Sequence, residues 1–240
     1  MRTAVQVGPS LRQLDAGSGS LADAVYERLK EDLFEFRLLP GDMFSEADVS
    51  ARLGVSRTPV RLGLARLQRD GFLVSRQRSG WQVRPFDFDR FEGLYDVRIV
   101  LELAALERLC SREMRDEAGI LGALKEVWLV PPEQRIRDWR LVGQLDEAFH
   151  CALVAAAGNA EMAQIHRDVT EKIRIVRRLD FTKEFRVDAT YDEHAAVLRA
   201  VLARNLEPAR MMLKSHIEIS KAEVRKITLH MLHQARSGEP

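Results

Sequence analysis

Residues 54–71 run GVSRTPVRLGLARLQRDG, and this stretch reads as one capped helix with a basic outer face. Ser56 stands where a helix N-cap belongs, and Pro59 falls in the first turn, where its missing N–H costs nothing. Val60, Leu64 and Leu67 recur at helical spacing as the inward face, while Asp70-Gly71 closes the segment. Upstream, Leu21 to Leu39 predicts an amphipathic helix with Leu21, Val25, Leu29, Leu33 and Phe36 on one face, stopped by Pro40-Gly41. Ser45 caps a short helix whose apolar residues are Ala47, Val49 and Leu53, and Gly54 ends it. Downstream, Phe72–Ser75 and Trp81–Arg84 predict two strands joined by the basic tip Arg76-Gln77-Arg78-Ser79-Gly80. Three helices and a hairpin within residues 21–85 outline a winged helix-turn-helix.

Charge marks the same region. The 240-residue chain carries a net +1, yet residues 52–84 hold eight arginines against the single acid Asp70. That block is net +7 and leaves −6 for the rest, a local excess that points to a polyanion as its partner. At the start of the predicted helix, Arg57 and Arg61 stand one turn apart and suit the guanine edges of a major groove. The hydroxyls of Ser56 and Thr58 suit phosphate. Arg76 and Arg78 on the wing suit the DNA backbone or minor groove, with Gly80 allowing close approach.

The remainder is a different kind of sequence. After Pro85, residues 86–89 read as a linker, and residues 90–235 read as about six helices with breaks near 130–132, 157–159, 180–182 and 205–208. The expected fold is therefore mainly α, a winged helix-turn-helix followed by an all-α bundle. The two cysteines, Cys110 and Cys151, cannot build a disulfide framework. No apolar run approaches the ~20 residues that span a bilayer. Residues 1–20 read as a flexible lead-in rather than a signal peptide, so a cytoplasmic protein is expected.

Polar residues interrupt the apolar stripes of the second region. Asp146 and His150 lie one turn apart on the stripe of Val142, Leu145, Phe149, Leu153 and Val154. His194 heads the stripe Val197, Leu198, Val201, and His216 lies among Met212, Leu213, Ser220 and Val224. A buried carboxylate needs a cation or several donors. Three imidazoles and a carboxylate on inward faces suit a divalent transition metal, zinc first, with nickel or manganese as alternatives. His166, His230 and His233 lack such company and are expected at the surface.

Both regions resemble known families. Leu38-Leu39-Pro40-Gly41, Ser45-Glu46, Gly54 to Arg61, Gly71-Phe72-Leu73 and Gly80-Trp81-Gln82-Val83 resemble the N-terminal domain of GntR-type bacterial transcription regulators. That resemblance implies operator contacts by Arg57, Thr58, Arg61 and Gly80. The chain departs from the family pattern at Leu62-Gly63, where a glycine inside the helix costs about 1 kcal/mol relative to alanine. Residues 90–235 resemble the helical FCD effector domain of the FadR branch. Its metal-binding members carry Asp-x-x-x-His and two later histidines, matched by Asp146, His150, His194 and His216. The resemblance implies a small carboxylic-acid effector at the metal and an arginine to neutralise it. Arg98 is the first candidate, unless it pairs with Glu102 one turn on, and Arg174 is the second. The implied protein is a homodimer on palindromic double-stranded DNA. The competing readings are a metal-dependent hydrolase with a DNA-binding head, and a regulator whose metal is structural or is itself the signal.

Overall fold

The computed structural model describes residues 20–76, 80–111, 119–181, 185–227 and 231. They form two units that meet in sequence between Asp87 and Phe88. In the first, α1 (Leu21–Phe34) is followed by β1 (Met43–Phe44), α2 (Glu46–Leu53), α3 (Arg57–Arg69), β2 (Leu73–Arg76) and β3 (Gly80–Val83). Capping boxes open α1 and α2: the Ser20 and Ser45 hydroxyls accept from the backbones of Asp23 and Asp48, whose carboxylates accept in return. The strands form an antiparallel sheet in the order β1-β3-β2, with Leu73 opposite Val83 and Phe44 opposite Trp81. A two-residue strand shows no alternation, so β1 left no mark in the sequence pattern. Val25, Leu29, Val49, Leu53, Val60, Leu64, Leu67, Leu73 and Val83 share the core. This is a winged helix-turn-helix.

Three expectations for this unit need correction. Helix α1 ends at Phe34 rather than near Leu39. Phe36 takes a left-handed φ of 56°, and the Leu38 N–H donates to the Asp32 carbonyl at 2.9 Å. The chain thereby folds back and buries Phe36, Leu38 and Leu39. The stop is tertiary, reinforced by ion pairs from Arg37 and Arg52 to the buried Asp32 at 2.7 and 2.9 Å. Leu21, expected on the apolar face, is exposed. Gly63 is the third correction. Far from being merely tolerated in α3, it lies in close packing with α1: a Cβ there would lie 2.9 Å from Val25 Cγ1 and 3.2 Å from the Ala22 carbonyl oxygen.

The second unit holds α4 (Phe88–Cys110), α5 (Ile120–Trp128), α6 (Trp139–Ala156), α7 (Ala160–Phe181), α8 (Phe185–Leu202) and α9 (Leu206–Val224), with a 3₁₀ turn at Pro132–Gln134. Phe88 and Asp89, expected in the linker, are already helical. Asn159 accepts from the Met162 N–H at 3.0 Å, as its place before α7 suggests. Helix α4 packs against α6, α7, α8 and α9, and α6 also packs on α7 and α5. The inward faces of α4, α6, α8 and α9 therefore converge on one interior, which is where the polar stripe residues sit. No described helix is long and apolar enough to cross a membrane.

Gly63→Ala is expected to destabilise the N-terminal unit by about 1–3 kcal/mol, because overpacking against α1 outweighs the gain of about 1 kcal/mol in helix propensity. Urea unfolding read by hydrogen exchange of α1 and α3 amides checks this. A stability gain would contradict the close packing.

Candidate functional site

The exposed face of the first unit is built at the start of α3. Ser56 occupies the N-cap position but spends no side-chain hydrogen bond on capping, so its hydroxyl remains available. Arg57, Thr58 and Arg61 are exposed beside it. Arg61 is not loose. Its Nε donates to Glu46 Oε1 and its Nη2 to Glu46 Oε2, each at 3.1 Å. That hydrogen bond holds the Glu46 carboxyl below its ordinary range. Glu46, at the first position of α2, thus sets the direction of the Arg61 fork. At the wing, Arg76 Nε donates to Gln82 Oε1 at 2.8 Å and remains exposed. Gly80 has φ +90°, and a Cβ there would lie 2.7 Å from the Phe44 carbonyl oxygen, so only glycine lets β3 start against β1. Arg78 lies outside the described residues.

In the second unit, Asp146, His150, His194 and His216 come together from three helices, all buried, with one donor atom of each within 4.8 Å of the others. Asp146 Oδ1 faces all three rings, at 3.5 Å from His150 Nε2, 3.2 Å from His194 Nε2 and 3.9 Å from His216 Nε2. His150 Nε2 and His216 Nε2 are 3.2 Å apart. The opposite nitrogens of those two rings are committed: His150 Nδ1 is 2.6 Å from Glu102 Oε2, and His216 Nδ1 is 2.6 Å from Glu193 Oε2. A carboxylate accepts, so each Nδ1 carries the proton and each Nε2 turns a lone pair inward. His194 is stacked on Phe149 at 3.9 Å between centroids, and among the described residues neither of its ring nitrogens has a hydrogen-bond partner of good geometry although the ring is fully buried.

Around this set lies an ordered polar shell. Arg177 of α7 donates to Asp146 Oδ2 through Nε at 3.1 Å and also through Nη2. Arg98 Nε donates to Glu102 Oε1 at 2.5 Å, and His166 Nε2 is 3.0 Å from the same oxygen. Burial opposes ionisation of Glu102 and Asp146. The guanidinium groups of Arg98 and Arg177, together with hydrogen bonds from the neighbouring imidazoles, outweigh it and hold both carboxyls well below the ordinary range. Burial, joined by Arg98, pushes His150 down to about 4, and burial likewise pushes His194 well below its ordinary value. Anionic carboxylates and neutral imidazoles with inward lone pairs are the protonation states that ligate a divalent cation.

The other residues singled out in the sequence fall as follows. Arg98 is buried in the pair with Glu102, which the i, i+4 spacing had offered as its alternative role. Arg174 lies at the periphery, with Nε and Nη2 on the two oxygens of Glu147 at 2.8 and 2.5 Å. His166, expected at the surface, is fully buried. It lies on the α7 stripe with Ala163, Val169, Thr170 and Ile173, a stripe that the sequence already contained. His230 and His233 lie outside the described residues. Arg177 also escaped the sequence reading, although one turn after Ile173 it occupies an inward position. Glu193 carried no spacing signal, because it bonds His216 from another helix.

Residues 93–219 match the FCD domain, and residues 21–83 match the bacterial regulatory proteins of the gntR family. The chain belongs to the GntR family of regulators, in its FCD-bearing branch. It is 26% identical to the HTH-type transcriptional regulator YdhC of Bacillus subtilis over 80% of this chain and 85% of that one. It is 28% identical to the Nta operon transcriptional regulator of Aminobacter aminovorans over 77% of this chain and 84% of the relative. Among solved structures, a GntR-type protein from Rhodococcus sp. RHA1 superposes with a TM-score of 0.68 at 24% identity, covering 88% of this chain and all of that one. Escherichia coli McbR/YncC superposes with a TM-score of 0.64 at 18% identity, over 87% of this chain and 98% of that one. These two share the fold. This GntR-family chain is a DNA-binding transcriptional regulator with a C-terminal FCD domain.

Arg61→Ala is expected to weaken operator binding by ~1–3 kcal/mol, since the change removes a forked donor aimed from a recognition helix. Gel shift at fixed salt measures it, and unchanged affinity would remove Arg61 from the base-reading set.

Proposed function

We propose that this regulator binds a divalent transition metal at Asp146, His150, His194 and His216, and that a small carboxylic acid joined to that site controls operator binding. Zinc is the first choice because three imidazole nitrogens and one carboxylate match its preferences. The observation that carries the reading is the pair of Nε2 lone pairs on His150 and His216, 3.2 Å apart, each fixed inward by a carboxylate behind the ring. Two lone pairs at that distance repel unless a proton or a metal cation lies between them. Ligands sharing one ion at about 2.1 Å stand about 3.0–3.4 Å apart, and this spacing supports the assignment. When bound, the cation supplies a Lewis-acidic point for a carboxylate oxygen.

The protein's own contribution is orientation and charge. Glu102 fixes the tautomer of His150, Glu193 that of His216, and Arg177 anchors Asp146. Because Glu102 and Glu193 are both engaged on imidazoles, their placement supports retention of a ligand rather than proton transfer during turnover. Helix α4 begins at Phe88, next to the junction between the units, and carries Arg98 and Glu102 toward the site. A change at the site therefore acts on the helix that leads to the DNA-binding unit. As a homodimer with two such units, the protein would read a palindromic operator. The effect on operator affinity is limited to the acid's differential affinity for the two arrangements, commonly ~1–3 kcal/mol.

The test uses chelator-treated full-length protein. Zinc is expected to raise the thermal midpoint, and a panel of small acids added to the zinc-loaded protein is expected to contain members that shift the gel-shift midpoint about 5- to 150-fold. No stabilisation by zinc, nickel or manganese contradicts the cation site, and no response to any acid contradicts the effector reading. Glu102→Gln is expected to bind zinc about 10- to 100-fold more weakly by titration, because it loosens His150 without removing a ligand.

A further inference from the structure

His150 and His216 are each backed by a carboxylate, Glu102 and Glu193. His194 is held differently. Its Nδ1 has no hydrogen-bond partner among the described residues, and aromatic rings take the place of a carboxylate. Phe149 stacks on one face, and Trp128 stands edge-on with the centroids 4.2 Å apart. Trp128 is the last residue of α5 and meets Tyr191 of α8 at 4.9 Å between centroids. Tyr191 lies one turn before His194 on that helix, and Trp128, Tyr191 and His194 are 2%, 1% and 0% exposed.

Tyr191 is met from outside by the connection between α5 and α6, residues 129–138. The Ile136 N–H donates to the Tyr191 hydroxyl at 3.2 Å, and the Arg135 guanidinium stands 5.3 Å from the Tyr191 ring centroid. Arg135 donates through Nη1 to Asp188 at 3.1 Å and through Nη2 to Asp192 at 2.6 Å. Arg137 Nη1 adds a bond to Asp188 at 2.7 Å. From the surface inward the contacts therefore run Arg135, Tyr191, Trp128, His194.

The outer end of this series is the weaker one. The side chains of Asp188 and Asp192 are 52% and 68% exposed, whereas the rings beneath are buried. Ion pairs that water reaches are individually weak, so a segment pinned by them opens at lower cost than helices joined through apolar faces. When the segment lifts, Tyr191 loses both the Ile136 N–H and the Arg135 guanidinium, and the packing that presses Trp128 on the imidazole is loosened. His194 then keeps only its Phe149 stack. We infer that residues 129–138 are a strap that holds His194 in ligating position through Tyr191 and Trp128, and that opening of the strap sets the rate at which the cation leaves. Trp128 and Tyr191 are positioning residues, and Arg135 fastens them. This inference rests on the cation reading above and adds how the cation is retained. Linkage makes the effect reciprocal: a cation retained by the closed strap favours closure in turn.

Zinc release tests it. Zinc-loaded full-length protein is mixed with EDTA, at concentrations where the rate no longer depends on the chelator, and zinc loss is timed in variants that still melt cooperatively. Arg135→Gln removes both ion pairs and the charge over Tyr191, and is expected to speed the loss about 3- to 10-fold. Arg135→Lys keeps the charge and is expected to recover part of the slow rate. Arg210→Gln breaks an ion pair with Glu107 elsewhere in the same domain and is expected to leave the rate unchanged. Hydrogen exchange supplies a second readout, with the Ile136 amide expected to exchange more slowly in zinc-loaded than in zinc-free protein. Loss at the wild-type rate in Arg135→Gln, or equal acceleration by Arg210→Gln, overturns the strap and leaves the cation site intact. Equal exchange of the Ile136 amide with and without zinc overturns it as well. A wild-type protein that binds no zinc overturns the cation reading together with this one.

Discussion

Two imidazole rings of the FCD domain are turned toward each other by the carboxylates behind them. Glu102 accepts a hydrogen bond from His150 Nδ1–H and Glu193 from His216 Nδ1–H, which leaves two Nε2 lone pairs 3.2 Å apart in a buried interior. Most of the surrounding architecture serves that confrontation. Helix α4 must be central so that Glu102 reaches His150, and it carries Arg98 so that Glu102 stays ionised. Helix α7 must lie along α6 so that Arg177 reaches the outer oxygen of Asp146. A cation bound as proposed would relieve the repulsion and join α6, α8 and α9 through side chains they already direct inward, converting an unfavourable cluster into a fastening between helices.

The DNA-binding unit solves a related problem at its surface. Its basic residues must face a polyanion without spoiling a small core, so the inward residues of α3 are Val60, Leu64 and Leu67 while Arg57 and Arg61 point out. Glu46 restrains Arg61 by a two-pronged contact, which would reduce the ordering that the arginine undergoes if it reads DNA as proposed. The buried Asp32, held by arginines from the chain reversal and from α2, plays an internal counterpart of that role. In both units a carboxylate acts by fixing the direction of a cationic or imidazole donor.

Much of this was legible because periodicity reports inward faces. The capping serine Ser45, the α3 stripe and the cluster of Asp146, His150, His194 and His216 were all readable from spacings that a helix turns to one side, whereas Ser20 fell in the expected lead-in and caps α1. What was not legible depends on contacts between helices. Glu193 reaches His216 from another element, and no spacing within either helix encodes that distance. The early end of α1 follows from a left-handed residue at Phe36 and from Asp32, with no glycine or proline to announce it. Gly63 read as a flaw in a helix because the sequence does not show that α1 lies against it. His166 and Arg177 differ from these: their stripes were present in the sequence, and polar identity was allowed to outweigh position.

X-ray absorption at the metal edge of the purified full-length protein, loaded with zinc and freed of excess, probes the convergence most directly. The account predicts one tightly held ion per chain, with three imidazole nitrogens and carboxylate oxygen at about 2.0–2.2 Å in its shell. A shell of water oxygens alone, or one containing sulfur from a cysteine, would contradict it.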